Sequence, residues 1–137
     1  MNKTKLKTSL FIVSSFLIPA IMMFFIYLSQ GIYWNSDTSP LLGDGYHQYV
    51  IFDTTLRNIL HGTDSLFYSF QSGLGINFYA LSSYYLGSFF SPLVYFFNAQ
   101  SMPDAVYLIT LLKFGAIGLS TYISLSLIHI SEPTRHS

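Results

Sequence analysis

The chain has 137 residues, 51% of them hydrophobic and 9% charged, with six basic and six acidic side chains and a formal net charge of zero. Soluble domains carry about 25% charged residues, so this shortage argues against an ordinary water-covered surface and points to lipid as the main solvent. Balanced charge without a basic patch argues against a nucleic-acid partner, and the lack of cysteine excludes disulfides, thiolate zinc sites and cysteine nucleophiles.

Lys3, Lys5 and Lys7 precede a stretch, 8–36, that holds no charge. Its core, Leu10 to Leu28, is interrupted only by Ser14, Ser15 and Pro19. At about 1.5 Å per residue this core is roughly 28 Å long, close to the hydrocarbon thickness of a bilayer. A transmembrane helix over about 8–29 is therefore expected. The serines can bond back to the helix backbone, and Pro19 is expected to kink the span, as membrane helices tolerate. Lysines before the span and none just after it place the N-terminus in the cytoplasm. The alternative is a cleaved signal peptide. The run exceeds the usual apolar region of about 7–15 residues, and Ser29-Gln30-Gly31 makes a poor cleavage site.

Residues 31–78 carry Asp37, Asp44, Asp53, Asp64, Arg57, His47 and His61, and read as an outer loop. Tyr33 and Trp34 sit where the span should leave the membrane, a position that suits amphipathic rings. Gly43-Asp44-Gly45 reads as a tight turn. From Tyr46 to Leu60 a helix is expected, with Tyr46, Tyr49, Val50, Leu56 and Leu60 near one face and Asp53 and Arg57 paired on another. Gly62 is its expected stop. Too short and too charged to span, this helix should lie along the membrane surface or pack on other spans.

Between Asp64 and Asp104 there is no charge. Within that stretch, residues 79–98 are rich in Tyr, Phe and Leu and are expected to cross the membrane, with a re-entrant or interfacial helical pair as the alternative. A short polar link containing Pro103 leads to a third apolar run, 105–128, broken by Lys113. Three crossings would bring the C-terminal end outside. The string from Leu127 to Arg135 resembles translated sequencing-adapter read-through, so residues 126–137 are expected to be non-native and the chain to be the N-terminal piece of a longer protein.

An ordered series of short motifs resembles the YfhO family of bacterial multi-span membrane proteins. It runs through Gly31-Ile32-Tyr33-Trp34, Gly43-Asp44-Gly45-Tyr46-His47-Gln48-Tyr49, Leu56-Arg57-Asn58 and Gly73-Leu74-Gly75-Ile76-Asn77-Phe78-Tyr79. Tyr84 to Ser88, Ser91-Pro92-Leu93 and Leu111 to Gly115 complete it. The resemblance implies an all-α, polytopic transmembrane helical protein with a GT-C-like N-terminal part and a first extracytoplasmic loop containing amphipathic helices. It implies a glycosyltransferase of the bacterial cell membrane that takes a sugar from an undecaprenyl-phosphate carrier. The acceptor it implies is a cell-envelope polymer such as lipoteichoic acid. Membrane lipid, the polyprenyl-phosphate sugar and the acceptor are then the partners; which cofactor, if any, takes part is left open, and this piece alone is expected to be inactive. A transporter or flippase of lipid-linked sugars and a non-enzymatic envelope assembly factor are the rival readings.

In the GT-C class an acidic residue of the first outer loop sits at the active site, and the matching position is Asp44. A carboxylate there can take the proton of an acceptor hydroxyl, or orient the acceptor. It can equally cap the following helix by accepting from the His47 backbone N–H. His47 could contact phosphate or a metal, although an Asp-x-x-His spacing alone does not make a metal site; the plainer reading is a polar helix residue. Gln48 is a candidate sugar contact or a surface group. Arg57 could fork onto the carrier phosphate or simply pair with Asp53. Lys113 lies within an apolar run, where a charge costs about 2.5–3.5 kcal/mol on insertion scales and usually serves a function; a lipid phosphate would suit it, and snorkelling to an interface is the alternative. Gly73-Leu74-Gly75 lacks the further residues of a nucleotide-binding loop.

Overall fold

The computed structural model describes residues 3–41, 43, 45–71 and 74–131, with backbone alone at 3–5 and 129–131. The described residues are mostly helical: α1 (Lys3–Ser29), α2 (Val50–Leu60), α3 (Phe78–Tyr85) and α4 (Met102–Ser131), with a π-helical turn at Gly45–Tyr49 and 3-10 turns at Ser91–Phe96 and Ala99–Ser101. The chain divides into two compact units, one of residues 1–26 with 111–137 and the other of residues 27–110.

The first unit pairs the greater parts of α1 and α4. Both helices are long and apolar enough to cross a membrane, over Leu6–Ser29 and Ala99–Ile128. Ser14 Oγ donates to the Phe11 carbonyl at 3.1 Å and Ser15 Oγ to the Ile12 carbonyl at 2.8 Å, so both hydroxyls are absorbed by their own helix. Pro19 lies inside α1 and has no N–H to give the Ser15 carbonyl. That carbonyl faces Gly118: a Cβ at position 118 would collide with it and stand 2.5 Å from Pro19 Cγ. A Cβ at Gly115 would meet the Phe16 ring at 2.7 Å. Two glycines three residues apart thus let α4 lie directly against the proline notch of α1, the small-residue contact typical of helices in lipid. A groove of about 140 Å³ lined by Pro19, Met22, Met23, Ile26 and Phe114 runs beside this contact.

The second unit is organised around α2. Phe52 packs with Phe78 and Leu86, while Val94, Met102, Ala105 and Ile109 form a second cluster; Leu56 touches both. The expected 46–60 helix is therefore present, opened by a π-helical turn, but its faces differ from the expectation. Phe52, Asp53 and Thr55 are the buried residues, whereas Tyr46, Tyr49 and Leu60 are exposed. The partners that decide this come from α3 and α4, elements far away in sequence.

Both α1 and α2 end in the same way. The N–H of Ile32 bonds the Tyr27 carbonyl at 2.9 Å and that of Gly31 the Leu28 carbonyl at 3.1 Å. Thr63 and Gly62 repeat the pattern on Asn58 and Ile59, at 2.9 Å each. Gly31 and Gly62 have φ of +74° and +75°, the left-handed conformation this terminus requires.

Residues 79–98 do not form the expected crossing. An α3 of 8 residues ends at Tyr85, capped by Leu86, and a 3-10 turn containing Pro92 follows. At 1.5 Å per residue α3 spans about 12 Å, far short of a bilayer. Of the stretch 79–98, Leu86 and Val94 are buried by packing, while Tyr79, Tyr84, Phe89 and Phe96 stay exposed. The third apolar run lies in α4, which begins at Met102, continues through Ser131 and is long and apolar enough to cross a membrane. Of the tail, 132–137 lies outside the described residues.

Candidate functional site

Asp44, the leading catalytic candidate, lies outside the described residues. Its neighbours define a turn: the Gly43 carbonyl accepts from the N–H of Tyr46 at 3.1 Å and of His47 at 3.2 Å. That turn feeds the π-helical residues Gly45–Tyr49 and then α2, so His47, Gln48 and Arg57 stand on one continuous helical run.

His47 is exposed, its ring edge-on to Tyr46 at 6.0 Å. Gln48 is half-buried, and its Oε1 accepts from the Tyr85 hydroxyl at 2.5 Å. Tyr85 also packs against Tyr49 at 5.2 Å and Phe52 at 5.1 Å. Gln48 therefore joins the start of the run to α3, which makes it part of the scaffold as well as a polar group near the glycine turn.

Arg57 has a comparable double aspect. Its Nε donates to the Phe97 carbonyl at 2.5 Å, and one terminal nitrogen donates to Asn58 Oδ1 at 3.1 Å. Asn58 Nδ2 in turn donates to Asp64 Oδ2 at 3.1 Å. The guanidinium thus fastens α2 to the end of the 91–96 turn. One turn further on, His61 stacks on Tyr95 with centroids 4.3 Å apart and planes 13° apart.

Beside these residues α2 forms one wall of an open cleft of about 140 Å³, lined by Val50, Ile51, Thr54, Thr55, Asn58 and Gln71. Among the described residues its polar groups are hydroxyls and amides, with no ionisable side chain in the lining. Such a surface suits an uncharged, hydrogen-bonding ligand. The Thr55 hydroxyl is turned onto the Ile51 carbonyl at 2.9 Å, and Thr55 is buried. Sequence reasoning missed this cleft, because a short helix pattern does not show which face will be left open. It also read Asp53 as a surface partner for Arg57, whereas Asp53 is buried, at 7% exposure. Its Phe52 neighbour was the available signal, since a helix that buries residue 52 against α3 carries residue 53 partly inward.

Lys113 is on α4, in the other unit, and is exposed. It has no ion-pair partner among the described residues. Among the described residues there is also no group of three or more His, Asp or Glu side chains suited to a metal ion.

No curated protein and no solved structure matches the chain. The sequence model of the family described as bacterial membrane protein YfhO does match it, over residues 14–135. That match takes in α1 from Ser14 onward, the whole second unit and α4, and covers far more than half of the sequence. The chain belongs to the YfhO family of bacterial membrane proteins.

Proposed function

We propose that this chain belongs to a polytopic GT-C-like glycosyltransferase. In this reading it moves a sugar from undecaprenyl phosphate to a cell-envelope polymer such as lipoteichoic acid. The observation that carries the reading is the arrangement of the second unit. In sequence, a glycine-flanked carboxylate, Asp44, directly precedes a helical run whose described residues border a hydroxyl- and amide-lined cleft. Apolar helices long enough to cross a membrane flank this unit in sequence. A lipid-linked sugar needs such a pairing, with a polar surface for the sugar at the edge of a bilayer that holds its carrier.

In the proposed orientation the N-terminal lysines stay in the cytoplasm and residues 30–98 face outward. Asp44 takes the proton of the attacking acceptor hydroxyl. His47, Gln48 and Arg57 are the nearby candidates for holding sugar or carrier phosphate, and Lys113 is the candidate phosphate contact within the apolar helix.

The test is turnover by the full-length parent protein with a labelled polyprenyl-phosphate sugar. Asp44→Asn should lower transfer about 100-fold or more, with the protein still inserted at wild-type level. A parent that moves the labelled lipid across vesicles without forming a new glycoside would assign the family member to transport. A fully active Asp44→Asn parent would remove the assignment of the base.

A further inference from the structure

The segment between α2 and α3 folds back on itself. Ser69 and Ile76 exchange both backbone hydrogen bonds at 2.9 Å, and Ser69 is buried. The Tyr68 ring packs edge-on against Phe70 with centroids 4.8 Å apart, and its hydroxyl donates to the Leu74 carbonyl at 3.4 Å. Gly75, at φ +110°, lies where any Cβ would collide with that hydroxyl. These contacts hold the hairpin together from within.

What they leave outside is apolar. Phe67 is 69% exposed, Phe70 78% and Leu74 99%. Exposed large apolar groups gathered on one short segment mark a surface that contacts something other than water. The composition indicates what that is. No charged residue occurs anywhere in 65–103, so the hairpin offers a protein partner no ion pair and its apolar face no charged neighbour to draw water. Phe and Leu beside a Tyr whose hydroxyl stays polar is the mixture found at the headgroup level of bilayers. Covalent connection supplies the rest, because the hairpin sits in sequence between two helices long and apolar enough to cross a membrane.

We propose that this hairpin inserts Phe67, Phe70 and Leu74 into the headgroup–acyl boundary of the bilayer that α1 and α4 cross. It would then lie on the membrane as interfacial elements do, held by buried apolar area. The occupant of this surface is lipid. The proposal requires the two spans and is independent of sugar transfer.

The chain has no cysteine, so Leu74→Cys introduces a unique thiol, and a residue this exposed gives up almost no packing when replaced. The full chain is labelled there with an environment-sensitive fluorophore and reconstituted in phosphatidylcholine–phosphatidylglycerol vesicles. Some vesicles contain lipids spin-labelled near the headgroup. Blue-shifted emission, quenched at least twofold more than from the same label at the exposed Thr38→Cys, is the expected result; Phe70→Cys should behave like Leu74→Cys. Water-like emission from both hairpin positions would overturn the proposal by leaving the hairpin in solvent. Blue-shifted emission insensitive to the spin-labelled lipids would overturn it equally, by showing that protein covers the surface.

Discussion

At the residue scale, single polar groups of the second unit fasten segments that are distant in sequence. Arg57 binds the Phe97 carbonyl, and Asp104 Oδ1 accepts from the Asn35 backbone N–H at 2.8 Å, with Asn35 at φ +57°. A hydrogen bond to a charged group contributes about 1.5–3 kcal/mol when it is shielded from water. Arg57→Met should therefore destabilise the unit by about 1–3 kcal/mol in equilibrium unfolding. Arg57→Lys should recover only part of that, because an ammonium lacks the planar fork. If Arg57 instead serves the carrier phosphate, the same variants should raise KM while the unfolding midpoint stays fixed. Phe78, 1% exposed beneath α2, is the residue whose truncation should be felt most. Phe78→Ala should cost about 3–5 kcal/mol, read as a lower thermal midpoint.

At the element scale, the helices stop and meet where glycine permits. Gly62 holds the left-handed end of α2, and an L residue there is disfavoured by about 1–2 kcal/mol. Gly62→Ala should lower stability by that amount, measured by denaturant titration, with little effect on helix content. In the α1–α4 pair the close approach at Gly118 leaves no room for a side chain. Gly118→Leu should force the helices apart at about 1–3 kcal/mol, the usual range for overpacking; its thermal midpoint in detergent should fall well below that of Gly118→Ala. The contact follows from Pro19. Removing one N–H frees a carbonyl, and the partner helix answers with its least bulky residue.

At the scale of the whole molecule, two helices among the described residues are long and apolar enough to cross a membrane, where the sequence led us to expect three spans. With 79–98 packed as α3 and a 3-10 turn, a reporter fused after Ser69 should read extracytoplasmic and one fused after Ser131 cytoplasmic. A third crossing would put the second reporter outside. The exposed apolar residues between α2 and α4 then have to be covered by lipid or by protein, and the labelling experiment at Leu74 separates these.

The sequence by itself determined what depends on composition and local chemistry. An uncharged run of bilayer length in Leu10 to Leu28 can hardly be anything but a long apolar helix. Ser14 and Ser15 have no acceptor nearer than their own backbone, and Gly62 after a helix-forming stretch marks its end. Tertiary structure alone decided the fate of 79–98 and the inner face of α2. A run of Phe, Tyr and Leu has the same hydropathy whether lipid or other protein surrounds it. Only the packing of Leu86 and Val94 against neighbours on α2 and α4 distinguishes a folded, partly buried segment from a span. The cleft on α2 was invisible for the same reason. It exists because Phe52 and Leu56 are drawn toward partners distant in the chain, and the side of the helix they leave, with Thr54 and Asn58, becomes its wall.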